Sequence, residues 1–343
     1  MKIYFSLFTI IILYSCNLTN NKQENEKVIH ENIQKLNGHI VNSSLMMNIA
    51  RDIQIYNDYL VIRTFSDNKF LYILNKNTGD IITSLAPQGE GPNETIEMSD
   101  QIQIDKNGNL SWFDYAKKRL FICNLDSITN SSTNYANINF NEYNGNIDLV
   151  LRLNQNKYLV SLGDAFSESN KTKRYAIFDS TKINSTYLGF PIIKNSSRNL
   201  NDTYLNYRTS QHLALAPSQQ KFAVAEIYGS ILEIFQLTDS IKLNSIHSFS
   251  DYKKDELHGF VDLCATESYI YAIKIDSNMN GADKNNKYNK IMVFDWKGKY
   301  IKTYETDYNL LTLDVDENSN YIYSIGQNIS LDSEIQVLSF KMQ

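Results

Sequence analysis

Apolar positions along this chain fall in short runs separated by polar, Asn- and Asp-rich clusters, a spacing that predicts strands and turns rather than helices. One run recurs six times: Tyr59-Leu60-Val61-Ile62, Asn109-Leu110-Ser111-Trp112-Phe113, Tyr158-Leu159-Val160-Ser161-Leu162, Lys221-Phe222-Ala223-Val224-Ala225, Tyr269-Ile270-Tyr271-Ala272-Ile273 and Tyr321-Ile322-Tyr323-Ser324-Ile325. Their equivalent residues, Leu60, Leu110, Leu159, Phe222, Ile270 and Ile322, are separated by 50, 49, 63, 48 and 52 positions. Each copy follows a polar turn, and before the turn stands an alternating run such as Asp52-Ile53-Gln54-Ile55 or Leu311-Thr312-Leu313-Asp314-Val315. A third run follows, as in Phe70-Leu71-Tyr72-Ile73-Leu74, and usually a further turn and a fourth.

About fifty residues and four strands per repeat is the dimension of a propeller blade. Such a unit buries neither face alone, but a ring of them covers both faces of each. The predicted fold is all-β: a six-bladed β-propeller of four-stranded blades occupying residues 28–343 as a single domain. The sixth copy reaches Gln343 with only three strands, which would leave a bare edge. An N-terminal strand, from residues 28–33 or from 38–41, is expected to close it. The long spacing between the third and fourth copies predicts an insertion at residues 191–210.

The first residues follow a different logic. Lys2, then an apolar run from Ile3 to Leu13, then Leu13-Tyr14-Ser15-Cys16 form a targeting segment too short to span a bilayer as a helix. It resembles the signal peptide and lipobox of bacterial lipoproteins. This implies removal of residues 1–15, lipidation of Cys16 and attachment to the membrane through that lipid. Residues 16–27 are polar and read as a flexible tether. No acidic run follows Cys16, so the expected location is the cell envelope, at the outer membrane facing the periplasm.

Composition sharpens the strand reading: 23 Tyr and 16 Phe against 2 Trp, with only 13 Gly and 4 Pro. Asn, Asp and Ser must carry most turns, which their backbone-bonding side chains allow. The net charge of −5 and the lack of a basic run exclude a nucleic-acid partner. Beyond Cys16 two cysteines remain. Cys123 falls on blade two and Cys264 on blade five, opposite in the ring and too far apart for a disulfide. The five histidines show no ligand spacing, and no nucleophile elbow or dinucleotide fingerprint occurs. Neither a metal nor any other cofactor is therefore expected.

The most distinctive short stretch is Gln88-Gly89-Glu90-Gly91-Pro92-Asn93-Glu94, between the expected last strand of blade one and first strand of blade two. With the repeats and the lipobox, it makes the chain resemble the TolB-like six-bladed propeller lipoproteins of Gram-negative bacteria, many of which carry Gly-x-Gly-Pro-x-Glu after the first blade. Here Gly89, Gly91, Pro92 and Glu94 supply it, although Thr95 stands where Phe is common. The resemblance implies fold and location, and no agreed activity. The loop reads first as a blade joint, with Glu90, Asn93 and Glu94 as candidate ligand-face residues.

The functional expectation is a monomeric, non-catalytic binding or scaffolding propeller for an envelope protein, a peptide or a glycan. The rival is a propeller lyase or lactonase-type hydrolase with a central metal. Its candidate axial acids are Asp52, Asp100, Asp262 and Asp314, on the first strands of blades one, two, five and six. Asp126-Ser127-Ile128, Asp179-Ser180-Thr181 and Asp239-Ser240-Ile241 stand at one repeat position and read as blade turns.

Overall fold

The computed structural model describes residues 24–342, apart from 26–31, 48, 129–134, 155, 164–172, 181, 189–210, 227–230, 250–255, 258, 279–286 and 330–333. Cys16, most of the expected tether and the 191–210 insertion lie outside the described residues.

Six sheets follow one another, each built on four antiparallel strands, consecutive in sequence in five of them, while the sixth takes its fourth strand from the N-terminal segment. Blade one spans Asp52–Tyr56, Tyr59–Ser66, Lys69–Asn75 and Ile81–Pro87. The inner strands of the other blades are Met98–Ile104, Ile147–Arg152, Gln211–Leu215, Phe260–Ala265 and Tyr308–Asp316. Among the described residues the sole helical segment is a single 3-10 turn, Leu125–Ser127.

The core is divided into six, one cluster at each blade junction. Successive residues of a strand point to opposite faces, so each second strand feeds two clusters. In blade one Val61 packs against Trp112 and Phe121 of blade two, while Leu60 and Ile62 pack with Tyr323 and Val337 of blade six. In blade four Phe222 and Val224 join blade three, and Ala223 and Ala225 join blade five. This is why the repeated runs are apolar almost throughout: both faces are interior. The aromatics concentrate at these seams, with Phe222 stacked on Phe235 at 4.5 Å between ring centroids and Phe140 edge-on to Tyr158 at 5.5 Å.

Ring closure uses the second of the two expected N-terminal segments. Gly38–Asn42 pairs antiparallel with Gln336–Lys341 as the outer strand of blade six. Earlier in the chain Ile33–Lys35 runs parallel beside the outer strand of blade five, and Glu24–Asn25 runs parallel beside that of blade four. The N-terminal segment thus follows the outer rim through three consecutive blades. It also reaches blade one: the Asn42 side-chain amide donates to the Gly79 carbonyl at 2.7 Å. Gly79 has φ +75, and a Cβ there would lie 1.9 Å from the Val41 carbonyl oxygen, so only glycine fits this contact.

Removing residues through 45 would strip blade six of its outer strand and expose the blade six–blade one core. The truncated protein should melt on the order of 10 °C or more below the parent, measured by thermal unfolding; an unchanged melt would refute closure by this strand.

Candidate functional site

Each inner strand pairs with its own blade on one side only, and its other edge faces the axis. Backbone N–H groups on that edge require acceptors. Side chains of neighbouring blades provide them. Asp52 Oδ2 accepts from Ile102 N at 2.8 Å, joining blades one and two. Asp262 Oδ2 accepts from Leu313 N at 2.9 Å and from the Thr312 hydroxyl at 2.7 Å, joining blades five and six. Asp314 Oδ2 accepts from Ile55 N at 2.7 Å and closes blade six onto blade one. On the other half of the ring carboxamides take this role. Gln103 Oε1 accepts from Arg152 N at 2.7 Å and its amide donates to Arg152 O at 2.9 Å. Gln101 makes the same pair of bonds to Leu213, at 3.2 and 2.7 Å, reaching from blade two to blade four.

Three of the four expected axial acids are thus brought together and used as inter-blade acceptors. Asp100 does not join them. It is exposed and lies 3.5 Å from Arg51 Nε, because the ladder of its strand shifts register between Met98 and Ile102 and the regular alternation is broken there. His212, which nothing in the sequence marked, places Nδ1 3.2 Å from Asp262 Oδ1 across the blade four–blade five junction.

Burial dominates the protonation of Asp52 and Asp314. Loss of solvent pushes Asp52 well above the usual carboxylate range, and the nearby carboxylates of Asp262 and Asp314 add to it; the hydrogen bond from Ile102 opposes them. Asp314 is pushed up to about 7, mainly by burial, against the bonds from Ile55 and Val315. Cys264 beside them is raised by burial and then by the same three acids. It and Cys123 are buried free thiols, as their positions on opposite blades predicted.

Beyond the acids the axis opens into a cavity of about 1250 Å³. Asp52 and Asp314 stand in its wall, and its mouth is formed by the turns that follow the inner strands, including Asn57, Asn107, Asn154, Gln219, Glu267 and Asn318. Ion pairs link neighbouring blades around it: Lys76 with Asp316 at 3.0 Å and Arg152 with Asp105 at 3.4 Å. The sequence offered one signal for these residues, their shared position after each alternating run. Composition disguised them as ordinary turns.

The Gln88–Glu94 loop stands at the other end of the strands, where blade one passes into blade two. Its shape comes from its own groups. Glu94 Oε2 accepts from Gly91 N at 2.7 Å, and a Cβ on Gly89 would lie 2.1 Å from that oxygen. Lys117 Nζ donates to the carbonyls of Gly89, Gly91 and Glu94 at 3.3, 2.8 and 2.8 Å. Trp112 Nε1 donates to the hydroxyl of the following Thr95 at 3.1 Å. Glu94 is therefore turned into the joint, whereas Glu90 and Asn93 are exposed.

At the blade three–blade four seam, Arg174 and Glu233 form a two-pronged ion pair at 2.9 and 2.6 Å, both side chains 2% exposed. Neither was singled out by sequence, since a charge inside an apolar run looks like a solvent-facing position.

Among the described residues no group of three or more His, Cys, Asp or Glu is arranged to hold a metal ion. The arrangement defines an all-β propeller whose inner strands are bridged by carboxyl and carboxamide side chains and line a polar cavity on the axis. The chain belongs to the TolB-like six-bladed propeller family, whose model, described as TolB-like 6-blade propeller-like, matches residues 20–318. Solved structures of similar fold include a member of the DUF4221 family from Bacteroides vulgatus, with 10% identity, TM-score 0.53 and 90% of this chain against 97% of that one. The calcium-binding protein regucalcin from Agrobacterium tumefaciens gives 8% identity, TM-score 0.53 and coverage of 91% and 97%. A luciferin-regenerating enzyme gives 8%, 0.54, and 90% and 95%. At such identities the likeness concerns fold alone. No curated protein matches the chain.

Two outcomes follow from the buried groups. Because Asp52 and Asp314 are raised, the folded protein holds protons that the unfolded chain loses at ordinary aspartate pH. Stability is therefore greatest in mild acid and declines as pH rises towards and through about 7. Asp52→Asn keeps an acceptor for Ile102 and removes the charge. It should flatten this slope and raise the melting temperature at pH 8 by a few degrees, about 1.4 kcal/mol per pKa unit removed. Equal melting curves for both proteins across pH 5–8 would contradict it. Separately, Glu233→Ala strands a buried guanidinium and should cost about 3–5 kcal/mol in denaturant unfolding.

Proposed function

We propose that the protein is an envelope-tethered binding propeller, held by a lipid on Cys16, whose axial cavity receives a polar partner: a segment of an envelope protein, a peptide or a glycan. The observation that supports this is the division of labour at the axis. Asp52, Asp262 and Asp314 are committed to backbone N–H groups of the next blade, while the wide mouth beyond them is lined by Asn, Gln and charged side chains that remain accessible. Carboxamides both donate and accept, which suits peptide bonds and sugar hydroxyls. A metal-centred lyase or lactonase would need those same acids free to converge on an ion, and each already spends an oxygen on holding the ring. Glu90 and Asn93 offer an exposed polar contact on the opposite face.

Gln54 stands in the cavity wall, and among the described residues its side chain makes one long bond, of 3.4 Å to Asp52, so Gln54→Trp projects bulk into the cavity and narrows it while leaving the blade junctions intact. Crosslinking on intact envelopes should yield a species bound by the parent and lost in Gln54→Trp at unchanged melting temperature. Retention of every crosslinked species by the variant would defeat the cavity as the binding site.

A further inference from the structure

The side chains around the cavity mouth are sorted by charge. On blades five and six stand Glu267 and Glu317, with Asp314 in the wall beside them. Blades two and three, which face these across a six-membered ring, carry Lys106, Arg152 and Lys157. Some of this charge cancels locally, since Arg152 pairs with Asp105, and Lys76 of blade one pairs with Asp316. What survives is acidic on one side and basic on the other. Glu267 accepts a hydrogen bond from Ser218 N, and Glu317 accepts from the Thr266 hydroxyl at 2.7 Å; among the described residues neither is in an ion pair. Lys221 approaches the Glu267 backbone carbonyl at 3.4 Å and sits over the Trp296 ring. Lys106 is exposed and has no ion-pair partner among the described residues. Lys157 pairs with Asp239, whose side chain is 89% exposed, a contact that water screens and a ligand can replace.

We propose that the cavity binds a short peptide by its two free ends, the ammonium against Glu267 and Glu317 and the carboxylate against Lys106 and Lys157. This rests on the cavity being the binding site and names what it selects. Opposed arcs of charge across a recess favour a ligand that carries both signs at a separation, and focus it on approach. A neutral glycan would leave both arcs unused. Beside the charged residues Asn107, Asn154 and Asn318, and Gln54 of blade one, line the same space and complement peptide bonds, which present one donor and one acceptor each. A volume of about 1250 Å³ exceeds the roughly 300–1,000 Å³ that encloses a small ligand, and so admits several residues rather than one amino acid. Binding is linked to a proton. Asp314 faces Asp52, Asp262, Asp316, Cys264 and the N–H groups of Ile55 and Val315; an ammonium arriving beside it supplies the positive charge that this surround lacks. At neutral pH the carboxyl then gives up its proton.

Tetra-alanine isolates the two ends, because its side chains carry no charge. Calorimetric titration at low salt should show the free-ended peptide binding at least tenfold more tightly than either its N-acetylated or its C-amidated form. The Glu267→Gln/Glu317→Gln pair should bring the free peptide down to the N-acetylated level without weakening the N-acetylated peptide further, which general misfolding would do. Lys106→Ala/Lys157→Ala should mirror this for the C-amidated form. Repeating the titration in buffers of different ionisation enthalpy should show net proton release at pH 6, where the peptide amine is already protonated, turning to net proton uptake at pH 9, where the free amine must gain a proton to bind as an ammonium. Equal affinity for capped and free peptides, or no binding of tetra-alanine at millimolar concentration, would overturn the proposal. If Gln54→Trp still abolishes envelope crosslinking in that case, the cavity remains a binding site for a different ligand; if it does not, the cavity reading falls as well.

Discussion

A blade whose two faces are both apolar has no stable existence by itself, and everything else in this structure follows from that. Burying Leu60 and Ile62 against blade six and Val61 against blade two makes each blade's stability a property of its neighbours. A linear stack would leave two apolar faces in water. A closed ring leaves none, provided that the last blade is complete and meets the first. The outer strand of blade six therefore has to come from outside the repeat, and Gly38–Asn42 provides it from the other end of the chain. One segment fixes sheet pairing, the Val41–Gly79 contact with blade one and the course of the N-terminal residues along the rim.

Closing the ring moves the edge problem to the axis. Outer strands can solvate their unpaired groups, but inner strands face a crowded centre where water has limited access. The solution is chemical rather than topological. Short acids and carboxamides on one inner strand accept the N–H of the next, and where the acids gather, burial makes the protonated form favourable. The result is a conflict between two physical terms: the hydrogen bonds from Ile55 and Ile102 favour the carboxylate, and desolvation favours the acid. Desolvation dominates at Asp52 and Asp314, which sets the direction of the pH dependence.

How much of this could be read from the chain depends on whether the information is local. The six runs were legible because period-two alternation with both faces buried leaves a continuous apolar signature, and the turns because Asn and Asp mark them. The missing strand of blade six could be inferred by arithmetic, although choosing between residues 28–33 and 38–41 required the pairing itself. Asp52, Asp262 and Asp314 were legible together because each stands eight positions before its repeat marker, Leu60, Ile270 or Ile322, whereas Asp100 stands ten before Leu110, and the register shift after Met98 leaves it outside the set. Arg174, Glu233 and His212 were illegible for a different reason. Their partners lie 59 and 50 residues away in sequence, on other blades, and a single charged residue in a strand carries no sign of what it will meet.

The Gly-x-Gly-Pro loop and the cavity mouth make the same point from opposite directions. The loop attracts attention because glycine and proline are scarce in this chain, yet Glu94 folds back on Gly91 and Lys117 gathers three of its carbonyls, so its unusual composition is consumed in making a joint. The mouth attracts none, because Asn, Lys and Glu in turns are what any propeller of this composition would show. What distinguishes it is the distribution of sign around the ring, and that is a property of six turns taken together. A closed ring brings together positions some fifty residues apart and gives them a common centre, so chemistry on this fold is encoded in the phase of the repeat rather than in any contiguous motif.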